Sequence, residues 1–131
     1  MSSDDTATRI TQVGTIIVPV SDQDAAIAFY TEKLGFELRA DTPFGRGDRW
    51  VEVGPAGHTT TLALTPPREG EQVGIATRVA FATADIEADH AALKERGVDV
   101  DAEVMRMGGP VPPMFWFRDQ DKNSYLIVQS A

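Results

Sequence analysis

The chain repeats one pattern twice, and that repeat constrains its fold more than any other feature. Val13 to Val20 is β-branched and reads as a strand, with Pro19 tolerable only near a strand end or an edge. Ser21 or Asp22 can cap a helix over Gln23 to Leu34, whose apolar residues Ala26, Ile27, Phe29, Tyr30 and Leu34 recur at helical spacing. Gly35 suits the left-handed position that ends it. Three strands follow, at Phe36–Ala40, Arg49–Val53 and His58–Thr65. After the polar segment Pro66 to Gly74 the same order returns. It runs as a strand over Ile75–Thr83, a helix over Ile86–Arg96 capped by Asp85 and closed by Gly97, then strands over Val98–Val104, Met114–Arg118 and Ser124–Gln129. Leu34-Gly35-Phe36 parallels Arg96-Gly97-Val98 at an offset of 62, and Asp22 parallels Asp85 at 63.

Two βαβββ units of equal length predict an α+β fold of two curved mixed sheets, each with one face on its own helix. The opposite faces are then left to enclose a concave pocket. The expected organisation is a disordered lead-in over 1–9 and one domain over 10–131, with module one at 12–65, a linker at 66–74 and module two at 75–130. Alternation along the strands sorts the residues. Val18, Val20, Val51, Val53, Leu62 and Leu64 should pack on the first helix, and Val79, Phe81, Phe115, Phe117, Tyr125 and Ile127 on the second. The opposite faces carry Thr15, Ile17, Trp50, Glu52, Thr61 and Ala63 in one half, and Arg78, Ala80, Met114, Trp116, Leu126 and Val128 in the other. A slip of one residue would exchange the two faces. Trp50 and Trp116 fall at near-equivalent places in the two repeats.

Composition removes several function classes. With 131 residues and a net charge of −8, the composition argues against general nucleic-acid binding and disfavours docking on anionic membranes. It has no cysteine, hence no thiolate nucleophile or thiolate zinc site. Its two histidines, His58 and His90, fall in a turn or strand start and in a helix. No apolar run approaches the length of a membrane span, and Met1 to Thr8 has neither a basic patch nor an apolar stretch, so the expected compartment is the cytoplasm. No Ser, His and acid gather along the chain, and no glycine-rich phosphate cradle follows a strand.

Val18-Pro19-Val20-Ser21-Asp22, Phe29-Tyr30 and Leu34-Gly35-Phe36 resemble the first-module signature of the vicinal oxygen chelate superfamily, which includes glyoxalases, extradiol dioxygenases and the fosfomycin- and bleomycin-resistance proteins. In the second half Asp85, Arg96-Gly97-Val98 and Phe117-Arg118-Asp119-Gln120-Asp121-Lys122-Asn123 agree with it. Gln120 and Lys122 stand where the family usually carries proline and glycine. The resemblance spans about Val13 to Gln129. It implies that metal-dependent relatives hold a divalent ion with four His, Gln or Glu side chains, one on each module's first and last strand. The matching positions here are Thr15, Ala63, Arg78 and Leu126, which do not make a ligand set.

The expected site is therefore a small-molecule pocket with no metal and no cofactor, lined by Thr15, Trp50, Glu52, Ala63, Arg78, Met114, Trp116 and Leu126. The indoles could stack on a planar ligand or face a cation. Arg78 could bind a carboxylate or phosphate, or pair with Glu52. The loops Asp41–Asp48 and Arg106–Pro113, tipped by Phe44 and Met107, are candidate lids. The expected function is sequestration of an aromatic or cationic compound by a homodimer, with no catalytic residue. A family enzyme with its metal held elsewhere, and a non-catalytic sensor or accessory domain, are the alternatives.

Overall fold

The computed structural model describes residues 6–43, 45 and 47–130. Module one is β1 (Thr15–Pro19), α1 (Gln23–Ala28), which runs on into a π-helical turn (Phe29–Lys33), β2 (Glu37–Pro43), β3 (Arg49–Gly54) and β4 (Thr61–Thr65). Module two is β5 (Ala76–Thr83), α2 (Ile86–Glu95), β6 (Asp99–Val100), β7 (Met114–Arg118) and β8 (Ser124–Gln129). The two sheets share one topology, β1-β4-β3-β2 and β5-β8-β7-β6. In each, the first strand pairs in parallel with the last and the other neighbours are antiparallel.

The helix punctuation is as expected. Asp22 Oδ1 accepts from Ala25 N at 3.0 Å, and Asp85 Oδ1 from Ala88 N at 3.1 Å. Each bond satisfies one of the backbone donors left free in a first helical turn. Gly35 and Gly97 end the helices at φ 76° and 81°, where a Cβ would be strained. Alternation is as expected on β7 and β8, whereas on β4 Thr61 and Ala63 are buried along with Leu62 and Leu64. Val18, Val51, Val53, Leu62, Leu64, Phe115, Phe117 and Tyr125 are buried, and join Ala26 and Tyr30 of module one's helix and Ile86 and Leu93 of α2 in one core. Both sheets thus turn their helix-side faces to a common interior.

A buried polar chain ties the modules together inside that core. Tyr30 Oη donates to Asp119 Oδ2 at 2.6 Å and lies 2.6 Å from Tyr125 Oη. Asn123 Nδ2 donates to the same Asp119 oxygen and to Pro19 O of module one. The backbone N–H groups of Asp121 and Asn123 donate to Asp119 Oδ1. Nearby, Ser21 donates to Asp121 from both its N–H and its hydroxyl, which closes the junction from outside.

Several strand ends differ from the sequence expectation. β4 begins at Thr61 rather than His58, because Gly57 (φ 80°) extends the turn and Thr60 Oγ1 donates to Val13 O. β2 runs on to Pro43, into the expected loop, and a proline is tolerable there because β2 is an edge strand. Phe44, expected as a lid tip, lies outside the described residues. The strand expected over Val98–Val104 shrinks to Asp99–Val100. The Asp101 carboxylate takes the Trp116 N–H at 3.3 Å and pairs with Arg118, competing with the ladder.

Among the described residues, only Arg78 (φ 64°) and Lys122 (φ 70°) are non-glycines at positive φ. Lys122 occupies the hairpin turn position where the resemblance leads one to expect glycine. Lys122→Gly is expected to stabilise the protein by about 1 kcal/mol, less the few tenths contributed by the exposed Lys122–Asp99 pair. A rise of a few degrees in thermal midpoint would show it, and a fall would contradict it.

Candidate ligand-binding site

The expected site residues sit on the faces of the two sheets that point away from the helices. On the first sheet, β-pairing sets Ile17, Ala63, Glu52 and Ala40 in one row across β1, β4, β3 and β2. Glu52 is the polar centre of this face. Trp50 Nε1 donates to its Oε2 at 2.6 Å, Thr61 Oγ1 donates to its Oε1 at 2.7 Å, and Thr15 Oγ1 lies 3.2 Å from Thr61 Oγ1. Hydrogen bonds from Thr61 and then Trp50, with the charge of Arg39 adding to them, hold the Glu52 carboxyl below the usual carboxylate range. Ala63 is buried beneath its neighbours, Trp50 and Glu52 are half-buried, and Ile17 is 60% exposed. Four of the expected residues (Thr15, Trp50, Glu52 and Ala63) thus form one continuous patch, a fixed carboxylate beside an indole.

On the second sheet Ala80, Leu126 and Trp116 form the corresponding row, and Ala82, Val128 and Met114 the next. Trp116, Leu126 and Met114 are half-buried and the alanines are exposed. The pairing refines the repeat. Ala63 matches Leu126, so Glu52 matches Trp116, and Trp50 sits one row over, opposite Met114 in the pseudo-symmetric scheme. The two indoles share a face type and not a position.

Arg78 does not match Thr15 in register. Thr15 pairs with Thr61, whose counterpart Ser124 pairs with Ala76. Arg78 lies in a bulge of two extra residues between Ala76 and Ala80, which β1 lacks. It is exposed and makes no ion pair among the described residues; Glu52 is bonded to Trp50 and Thr61 instead.

The metal positions that the resemblance implies offer a poor donor set here. One threonine hydroxyl, one arginine and two hydrocarbon side chains stand at Thr15, Arg78, Ala63 and Leu126, and the fit fails on chemistry alone. Among the described residues no three His, Asp or Glu side chains gather at metal-binding distance. His90 Nε2 instead bonds Asp101 O at 2.7 Å and its ring packs edge-on to Phe115, a structural role. His58 lines two clefts of about 380 and 310 Å³ beside β5 and α2, which also involve Phe36, Phe81 and Leu93 but none of the eight expected site residues. Strand alternation could not have revealed these clefts, because they lie between modules.

Comparison with known proteins turns on this same two-module arrangement. The sequence model of the Glyoxalase/Bleomycin resistance protein/Dioxygenase superfamily matches residues 10–125. The chain belongs to this superfamily. TnmS3, an antibiotic binding protein from Streptomyces sp. CB03234, is 36% identical, with a TM-score of 0.83 over 95% of this chain and 100% of its own. A superfamily member from Sphaerobacter thermophilus is 32% identical and superposes with a TM-score of 0.87 over 94% of this chain and all of its own. The uncharacterized Bacillus subtilis protein YetH is 35% identical over 92% of this chain and 99% of its own. The superfamily fold is therefore shown over nearly the whole chain. No helix among the described residues is long and apolar enough to cross a membrane.

Proposed function

We propose that this chain is a small-molecule-binding member of the superfamily that sequesters a planar aromatic compound, with a cationic group directed to Glu52, and that it does so without a metal or cofactor. The observation that carries this reading is the Glu52 carboxylate, fixed beside the half-buried Trp50 indole on the outer face of the first sheet. Indole faces and a carboxylate together attract planar cations. The description of TnmS3 as an antibiotic binding protein supports the same class of activity.

We further propose a homodimer in which the outer face of one chain's first sheet closes on that of its partner's second sheet. The support is that each helix packs on the core side of its sheet, so the outer faces are left for another molecule. Ile17 and Met107, at 60% and 64% exposure, are apolar groups that a second copy would cover. Sedimentation as a monomer at micromolar concentration would rule the shared site out.

Titration of tryptophan fluorescence with proflavine, a planar cation, tests the binding reading. Saturable quenching is expected, and a folded protein that shows none would overturn it. Glu52→Gln is expected to weaken proflavine binding about tenfold. Because the folded carboxyl is held below its ordinary value of 4.5, wild-type binding should survive as the pH falls through that value and fade only below it. Loss of binding already near pH 6 would assign the cation site to another group.

A further inference from the structure

We infer that Arg78 is a specificity-determining residue that receives the carboxylate of an aromatic ligand lying on the second sheet. This rests on the reading that the outer faces bind an aromatic compound.

Arg78 is where the first strands of the two repeats, β1 and β5, differ in backbone construction. β1 pairs with β4 without interruption from Thr15 to Pro19, whereas β5 inserts two residues between Ala76 and Ala80. The bulge is held in shape by Thr77, whose hydroxyl donates to Ser124 O at 2.7 Å and accepts from Val79 N at 3.2 Å. Arg78 takes the left-handed conformation at φ 64°, a backbone that favours glycine. Lys122, the other such residue, forms an ion pair with Asp99, but Arg78 has no ion-pair partner among the described residues. Bulges of this kind re-aim a side chain at the cost of local ladder bonds. A strained backbone that holds an unpaired guanidinium is explained if the guanidinium serves a ligand.

The surroundings define the ligand. Arg78 is flanked on the exposed face of β5 by Ala76, Ala80 and Ala82, which leave room above the sheet. The next strands continue the Ala80 row with Leu126 and Trp116, an apolar floor for a planar ring. A guanidinium fork at the rim of that floor matches the geometry of a carboxylate. With Glu52 on the other sheet, the complete site suits an amphoteric aromatic compound.

The test uses the full chain, nitrogen-15 NMR and two probes of one shape, 2-naphthoate and neutral 2-naphthamide. The chain has two tryptophans, so two indole N–H signals report on the two faces. Naphthoate is expected to shift the Trp116 signal and to bind roughly tenfold more tightly than the amide. Arg78→Gln should abolish that preference, and Arg78→Lys should keep part of it. Arg78→Gly should abolish it too, while raising the thermal midpoint by about 2 °C or more as the backbone strain is relieved. Equal binding of both probes to the wild type, a preference that survives in Arg78→Gln, or a lowered midpoint for Arg78→Gly would each overturn the inference while leaving the aromatic site standing. If neither probe moves either indole signal, the aromatic reading fails and the inference with it.

Discussion

Asp119→Ala is expected to destabilise the protein by about 3–5 kcal/mol, which equilibrium unfolding in urea would measure. Asp119 is 3% exposed and its carboxylate accepts four hydrogen bonds, from the Tyr30 hydroxyl, the Asn123 side-chain amide and the N–H groups of Asp121 and Asn123. Alanine leaves the two backbone donors without partners and breaks the chain that runs from Tyr125 through Tyr30 into the β7–β8 turn. Asp119→Asn should lose roughly half as much. Its oxygen can keep the two backbone donors, and Tyr30 can redirect its proton to Tyr125, but the new amide group must then face the Asn123 amide. Losses within about 0.5 kcal/mol for both variants would mean that the module junction does not depend on this carboxylate.

The same network fixes the alkaline behaviour. Tyr30 and Tyr125 are the chain's only tyrosines, and both are fully buried. Burial pushes both hydroxyls above their ordinary value of 10, and the nearby Asp119 charge adds to this. A group whose folded pKa is raised favours the folded state below its unfolded pKa, and that contribution is lost as the pH climbs above it. Stability should therefore decline from about pH 10 upward, with tyrosinate absorbance appearing together with unfolding. Titration of either tyrosine in protein that is still folded would show the core to be more open than its packing implies.

Features set by neighbouring residues could be read directly from the sequence. Caps such as Asp22 and closing glycines such as Gly35 act within a few bonds of themselves, so the residue type nearly determines the structure. Parity on β7 was equally legible, because alternate residues of a strand face opposite sides: Phe115 and Phe117 are buried while Met114, Trp116 and Arg118 are half-buried. The bulge at Arg78 was hidden for a definite reason: two extra residues preserve the alternation, so the hydrophobic period passes through it unchanged. The equivalence of Glu52 with Trp116 was hidden because sequence offset gives no pairing register. Asp119 read as a turn residue, and its partner Tyr30 lies 89 residues away. Tyr30 announced itself as apolar helix face, and nothing local says where its hydroxyl goes.

Mixing two inactive variants is expected to restore binding. If the first sheet of one chain and the second sheet of its partner form each pocket, Trp50→Ala damages one half-site and Trp116→Ala the other. Truncating a ligand-stacking tryptophan typically weakens binding by more than tenfold, so each variant alone should bind proflavine poorly. In a mixed dimer, one pocket receives both lesions. The other receives the intact Trp50 of one chain and the intact Trp116 of its partner. Random exchange of equal amounts makes about half of the dimers mixed, so about a quarter of all pockets regain full affinity. A pocket built within one chain predicts no recovery at all, because every chain carries a lesion. Mixing after reversible unfolding and following the amplitude of tight quenching separates these two outcomes. The amplitude is the better readout than the apparent affinity, since it counts the restored pockets, each of which binds with full affinity.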